Sequence, residues 1–140
     1  MEQTLTIIKP DAVQRNLAGQ ILARLEAEGF VVLGLKMVRL SQQDAQRFYQ
    51  EHSARPFFAS LTSYMSSGPA IPILLARANA IQALRDLMGA TNPAQAAAGT
   101  LRQAFGIDVE KNAVHGSDSP GSAAREIPFF FNHLEFRERS

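Results

Sequence analysis

The period of hydrophobic positions changes several times along the chain, and each change predicts an element. Residues 3–8, Gln-Thr-Leu-Thr-Ile-Ile, are rich in β-branched side chains and read as a strand. Lys9-Pro10-Asp11 ends it, because proline lacks a backbone donor. Leu17, Ile21, Leu22 and Leu25 recur at helical spacing, which predicts a helix over 17–28 with Gly29 as its left-handed stop. From 30 to 40, Val31, Leu33, Leu35 and Met37 alternate with Val32, Lys36 and Val38, the period of a longer strand. Ser41 followed by Asp44 then marks a helix start, with a hydroxyl for an orphan amide and an acid for the positive helix end. That helix is expected to reach about His52.

A shorter helix is predicted over 58–66, stopped by Gly68-Pro69, and residues 70–76 form an apolar strand. Pro72 places that strand at a sheet edge or a bulge, since it costs a ladder bond anywhere else. Ile81, Leu84, Leu87 and Met88 give a helix over 79–88, with Asn79 as cap and Gly89 as stop. Residues 89–99 hold no period and read as a long small-residue loop. A short piece over 100–106, a brief strand at 112–115 and a helix opened by Ser119-Pro120 and running to Glu126 complete the chain. Pro128 is expected to kink or end that last helix. This order suits an α+β sandwich of the split βαβ type, one antiparallel-containing sheet covered by helices, as a single domain over 1–140.

Composition narrows the function. With 46% hydrophobic residues in 140, the chain can build one globular core. Fourteen basic against thirteen acidic residues leave no surplus to draw it onto nucleic acid or anionic lipid. The lack of cysteine excludes a disulfide framework, a thiolate metal site and a thiol nucleophile. No stretch has the roughly 18 apolar residues of a membrane span, and Lys9 and Asp11 interrupt the first apolar run, so an unexported cytoplasmic protein is expected.

The densest polar constellation runs from Asn112 through Ala113, Val114, His115, Gly116, Ser117 and Asp118 to Ser119-Pro120. An imidazole nitrogen there can attack phosphorus, Gly116 lets the backbone turn, and helix-start amides can face an anion. Ser117 and Glu126 can fix the ring by hydrogen bonds. Taken alone, the same residues equally describe a loop histidine followed by a helix cap. The three lysines, Lys9, Lys36 and Lys111, lack the following Ser or Thr of a Walker loop, so a P-loop kinase is excluded. Arg55, Arg85 and Arg102 lie beside loops or short helices and suit a polyphosphate if they converge; otherwise they are surface arginines. Among Tyr49, His52, Arg55, Phe57 and Phe58, an exposed Phe can stack on a nucleobase, whereas a buried one is core.

Six segments in order, Thr6 to Arg15, Arg55-Pro-Phe-Phe58, Tyr64-Met-Ser-Ser-Gly-Pro69, Gly89-Ala-Thr-Asn-Pro93, Gly99-Thr-Leu-Arg102 and Asn112 to Ser119, together resemble the nucleoside diphosphate kinase family. The resemblance spans nearly the whole chain. It implies a ferredoxin-like α/β sandwich with a four-stranded antiparallel sheet covered by helices. It also implies Mg²⁺-dependent transfer of the γ-phosphate of a nucleoside triphosphate, typically ATP, to a nucleoside diphosphate, with broad base tolerance, maintaining NTP and dNTP pools. His115 matches the family nucleophile, phosphorylated on its pros nitrogen in a ping-pong mechanism.

Carried over position by position, Lys9, Tyr49, Arg85 and Arg102 correspond to residues around the phosphates and the nucleophile. His52, Arg55 and Thr91 correspond to phosphate neighbours, and Asn112 with Lys9 to sugar hydroxyl contacts. Phe57 and Val109 match the pair that sandwiches the base, and Ser117 and Glu126 the support of the histidine. The metal would arrive on the nucleotide phosphates, with no protein ligand of its own. A homo-oligomer is implied, a tetramer built from dimers, with no membrane partner and no nucleic acid as primary partner. Ala12, Ala76-Arg77, Ala98 and Ala104 depart from the family pattern without touching the nucleophile or the direct ligands. Two other readings make different demands. A binding-only module would hold nucleotide without exchanging phosphate, and a protein phosphocarrier would not need Phe57, Arg55 or Thr91.

Overall fold

In the computed structural model, which describes residues 1–136, strand β1 (Glu2–Ile8) becomes an inner strand of a four-stranded sheet. Its alternation divides the core: Leu5 and Ile7 point to one face and Ile8 to the other. Strands β2 (Val31–Leu35), β3 (Ile71–Arg77) and β4 (Val114–Gly116) complete the order β2-β3-β1-β4, with every neighbouring pair antiparallel.

The predicted helices follow with changed bounds. Pro10 does more than stop β1, since it opens a short helix α1 (Pro10–Gln14) at the first-turn position that its fixed φ favours. Helix α2 (Ala18–Ala27) ends where Gly29 takes φ +86°. Helix α3 (Gln42–Phe48) carries the predicted start as a capping box, the Ser41 hydroxyl accepting from the Asp44 amide and the Asp44 carboxylate from the Ser41 amide, both at 3.0 Å. The predicted single helix to His52 is corrected, because α3 stops at Phe48 and a separate 3₁₀ turn covers Gln50–His52. Then come α4 (Phe58–Met65), α5 (Ala80–Met88), a 3₁₀ turn at Pro93–Gln95, α6 (Leu101–Phe105) and α7 (Pro120–Phe130). The sheet face bearing Ile8, Ile73 and Leu75 packs against α2 and α5, and the face bearing Leu5, Ile7 and Leu74 against α3, α4 and α7. This is the expected ferredoxin-like sandwich.

Four expectations are corrected for physical reasons. The strand predicted over 30–40 is interrupted by a register shift between Val32 and Gly34 and ends at Leu35, leaving Val38 in an isolated bridge to Ala70. Pro72 lies on the inner strand β3, not at an edge. Its main chain faces β2, since its carbonyl accepts from the Lys36 amide at 3.3 Å, one residue past the end of β2 at Leu35, so the missing donor falls at the terminus of that ladder and not within it. Asn79 makes no side-chain cap; the Glu2 carboxylate accepts from the Ile81 amide at 2.9 Å instead, from the far end of the chain. Helix α7 runs through Pro128 to Phe130. Pro128 and Ala124, whose carbonyl loses its donor, are both exposed, so water can take that bond.

The departures at Ala12 and Arg77 also have structural places. Ala12 is fully buried in the core beside Ile21 and Leu25, where a small side chain fits. Arg77 donates to the Glu28 carbonyl and stacks 5.3 Å over the Phe30 ring, pinning the end of β3 to the turn between α2 and β2.

Candidate active site

The position of His115 is built by the β1–β4 pairing and one strained turn. His115 pairs with Ile7 on β1, and the Thr6 hydroxyl donates to the His115 carbonyl at 2.7 Å. Just before it, the Val114 amide donates to the Asn112 carbonyl at 2.9 Å across Ala113, whose φ is +76°. That is a γ-turn of the positive-φ kind, a conformation costing about 1–3 kcal/mol in a non-glycine residue. The Lys9 amide clamps it by donating to the Ala113 carbonyl at 2.9 Å.

The ring of His115 is held from behind. Its Nε2 lies 2.7 Å from Oε1 of Glu126 on α7, and the buried Ser117 hydroxyl donates to the same oxygen at 3.0 Å. Arg125 reaches the other oxygen of Glu126 at 3.4 Å. With a carboxylate as acceptor, the ring proton sits on Nε2 and Nδ1, the pros nitrogen, keeps its lone pair. The rings of Phe48 and Tyr49 meet the imidazole edge-on, with centroids 5.3 and 5.8 Å away, which leaves it little rotational freedom.

In front of the ring opens a cleft of about 810 Å³. Lys9, Arg85 and Arg102 bring three positive charges to its wall, and Asn112, Thr91 and His115 join them. Lys9 Nζ donates to Asn112 Oδ1 at 2.8 Å and to the Glu110 carbonyl at 3.2 Å. Burial, reinforced by the nearby Arg102 charge, lowers the Lys9 pKa to about 8. Arg102 spends its two terminal nitrogens on the Gly89 carbonyl at 3.0 Å and the Val114 carbonyl at 2.9 Å, so α6 is tied to β4, the strand of His115. Burial also pushes the Arg102 pKa down from its usual value.

Two buried donors in this wall, the Tyr49 hydroxyl and Arg102 Nε, have no partner among the described residues. Tyr49 stays a phenol, because burial and then the Glu126 charge push its pKa up. Buried donors left unpaired cost about 1–3 kcal/mol each, and an anion's oxygens between them and His115 would recover it. From Tyr49 the rings of His52 and Phe57 continue toward the mouth, at centroid spacings of 6.5 and 5.7 Å. At the mouth Phe57, before the first turn of α4, and Val109, in the loop after α6, are apolar yet 47% and 60% exposed. Two exposed apolar groups at the mouth of a cleft suit a flat aromatic ligand.

The cleft thus gathers His115, Lys9, Tyr49, His52, Phe57, Arg85, Thr91, Arg102, Val109 and Asn112, with Ser117 and Glu126 behind the imidazole. Arg55 is not part of its lining and stands on the exposed turn between His52 and Phe57. Sequence reasoning passed over Gln82 and Asp86, which also line the cleft and bond each other at 2.8 Å. Their signal was their spacing four apart on the helix that carries Arg85.

Comparisons agree with this geometry. The family profile described as nucleoside diphosphate kinase matches residues 2–136. The chain is 56% identical over 135 residues to the nucleoside diphosphate kinase of Citrifermentans bemidjiense, covering 96% of this chain and 98% of that protein. It is 55% identical to that of Geobacter sulfurreducens over the same length and coverage. Among solved structures it superposes at a TM-score of 0.96 on the Aquifex aeolicus enzyme, with 44% identity over 97% of this chain and 99% of that one. The TM-score is also 0.96 for a halophilic nucleoside diphosphate kinase from Halobacterium salinarum in complex with CDP, at 40% identity over 99% and 93% of the two chains.

Proposed function

The chain belongs to the nucleoside diphosphate kinase family, and from that premise we propose that His115 carries the phosphoryl group between two nucleotides in the cleft. The protein is a nucleotide-binding phosphotransferase. The observation that carries the residue assignment is the placing of the His115 ring in one cleft with two unpartnered buried donors, Tyr49 and Arg102, and with the Lys9 and Arg85 cations.

His115 Nδ1 attacks the γ-phosphorus of the triphosphate while the bond from that phosphorus to the bridging oxygen breaks, and the nucleoside diphosphate leaves. A terminal oxygen of a second diphosphate then attacks the phosphohistidine, and the N–P electron pair returns to Nδ1. Glu126, seconded by Ser117, holds the Nε2 proton and so neutralises the ring as its charge grows. Lys9, Arg85, Arg102 and the Tyr49 hydroxyl face the equatorial oxygens, His52 and Thr91 the outer phosphates, with Arg55 reaching them from the exposed turn outside the lining, and Asn112 with Lys9 the sugar hydroxyls. Phe57 and Val109 hold the base by its faces, with no donor or acceptor to read its edge, which gives broad base tolerance.

The divalent ion is proposed to be Mg²⁺. No group of three or more His, Cys, Asp or Glu side chains able to hold a metal occurs among the described residues, and the cleft wall carries Lys9, Arg85 and Arg102 beside separate carboxylates at Asp86, Glu110 and Asp118, so an ion carried on phosphate oxygens fits the cleft. When bound, it neutralises phosphate charge. The 140 residues act as one catalytic domain in a cytoplasmic homo-oligomer, a tetramer built from dimers, that maintains NTP and dNTP pools. Support for assembly is the open β2 edge with Leu35 and Met37 exposed beside it. Among the described residues no helix is long and apolar enough to cross a membrane.

The deciding experiment mixes the protein with γ-labelled ATP and Mg²⁺ and then chases with GDP. The protein should take up acid-labile, alkali-stable label and pass it to GDP. Nucleotide bound without transferable label would make this a binding module.

The pKa of Lys9 gives a second expected result. An anion needs Lys9 charged, so the dissociation constant for a nucleoside diphosphate should stay flat up to about pH 7, roughly double by pH 8 and stand about tenfold higher at pH 9. The sign for stability is opposite. The folded pKa near 8 lies below the ordinary lysine value of 10.5, so the unfolded chain binds more protons between those limits and the empty protein gains stability there as pH rises. Calorimetric titration of ADP at several pH values checks the first, and a flat profile would remove Lys9 from the anion site.

A further inference from the structure

Asp11 is a buried charge that the transfer chemistry does not use. It lies in the first turn of α1, is 6% exposed and does not line the cleft. Its carboxylate faces two ways. Oδ1 accepts from the Tyr64 hydroxyl, and the Asp11 amide donates back to that hydroxyl oxygen at 2.8 Å. Oδ2 accepts from Arg15 Nη2 at 3.1 Å, while Arg15 Nε donates to the Asp11 carbonyl at 3.1 Å and Nη2 also to the carbonyl of Phe105.

The two arms lead to the two sides of the cleft mouth. Tyr64 lies on α4, the helix that Phe57 precedes, and its hydroxyl ties α4 to α1. Phe105 is the last residue of α6, and the turn after it carries Val109. That turn is stiff in itself. The Ile107 amide bonds the Lys111 carbonyl at 2.7 Å, and Asp108 Oδ1 accepts from the amides of Glu110 and Lys111 at 3.0 and 2.7 Å. It therefore moves as a unit, placed by Phe105 at one end and Asn112 at the other.

We propose that Tyr64, Asp11 and Arg15 form a strut that sets the gap between Phe57 and Val109, and hence the strength of base stacking, without acting on the chemistry at His115. The inference rests on reading Phe57 and Val109 as the base-holding pair. Tyr64 and Arg15 are positioning residues, since neither lines the cleft. Burial and the Asp11 carboxylate keep the Tyr64 phenol protonated, which supports a permanent rather than a titrating tie.

Two substrates that share phosphates and sugar but differ in the base separate the possibilities. Phosphorylation of His115 by ATP and by ribose 5-triphosphate is followed in the full chain, in Phe57→Ala, Tyr64→Phe and Arg15→Met. Phe57→Ala tests the base pair itself and should lose about tenfold or more in kcat/KM with ATP, and under twofold without the base. Tyr64→Phe removes one oxygen and should lose about five- to tenfold with ATP, as a raised KM at nearly unchanged kcat, again under twofold without the base. Arg15→Met should show the same base-dependent signature, and it decides alone if Tyr64→Phe does not fold. If Phe57→Ala shows no base dependence, the base-pair reading and the strut both fall. If it does, but the strut variants lose equally on both substrates or on neither, the strut alone is overturned.

Discussion

Replacement of His115 by alanine should abolish phosphoryl transfer, a loss on the order of 10⁵-fold or more, while binding of ADP weakens by less than about threefold. The size follows from the ping-pong route. The two nucleotides share one cleft, so without a carrier nitrogen the donor phosphate and the acceptor are never in it together. Binding survives because the cations and the apolar pair stand on other elements: Lys9 after β1, Arg85 on α5, Arg102 on α6, Phe57 before α4 and Val109 after α6. The fold survives too. Glu126 loses its imidazole partner but keeps the Ser117 hydroxyl at 3.0 Å and the Arg125 guanidinium at 3.4 Å, so its buried carboxylate is not stranded. Transfer of label from ATP to GDP, read beside an ADP titration, checks both halves. Substantial turnover in this variant would remove His115 as the carrier.

What the chain reveals before folding depends on how local the cause is. The Ser41 capping box, the Gly29 stop and the β-branched run of β1 act within a few residues, and each stands where the pattern places it. The misplaced features have distant causes. The cap of α5 comes from Glu2, the tolerance of Pro72 from the end of β2 next to it, and the continuation of α7 through Pro128 from the exposure of Ala124. Local propensity holds none of that information.

The site divides in the same way. His115 with Ser117 and Glu126 can be suspected from residue chemistry, because a histidine between a glycine turn and a helix start is a recognisable arrangement. Convergence of Lys9, Tyr49, Arg85 and Arg102 has no signal in spacing. They come from four separate elements, and the motif resemblance alone brought them together. Neither route reached the unpaired Tyr49 hydroxyl and Arg102 Nε, since orphaned donors exist only after packing has removed water.

Arg85 offers the cleanest separation of charge from structure, and Arg85→Ala should lower kcat/KM by about 10²- to 10³-fold while leaving the unfolding midpoint within about 2 °C. Arg102 cannot supply this test, because its guanidinium holds the Gly89 and Val114 carbonyls and its removal would loosen α6 and the nucleophile strand together. Arg85 instead is exposed on the last turn of α5 and lines the cleft, and its guanidinium has no hydrogen-bond partner among the described residues. Its removal costs the fold only the favourable placing of a cation at a helix C-terminus, about 0.3–1 kcal/mol. Its gain must therefore come from the phosphates, where a guanidinium can meet two oxygens as charge spreads over them. Arg85→Lys should recover part of the loss, because a point charge remains without the planar fork. Rapid-mixing measurement of His115 phosphorylation over a range of ATP concentrations, with thermal unfolding alongside, gives both quantities. A fall in rate below tenfold with an unchanged midpoint would place Arg85 outside the transferring group's contacts and leave Lys9, Arg102 and Tyr49 to hold its oxygens.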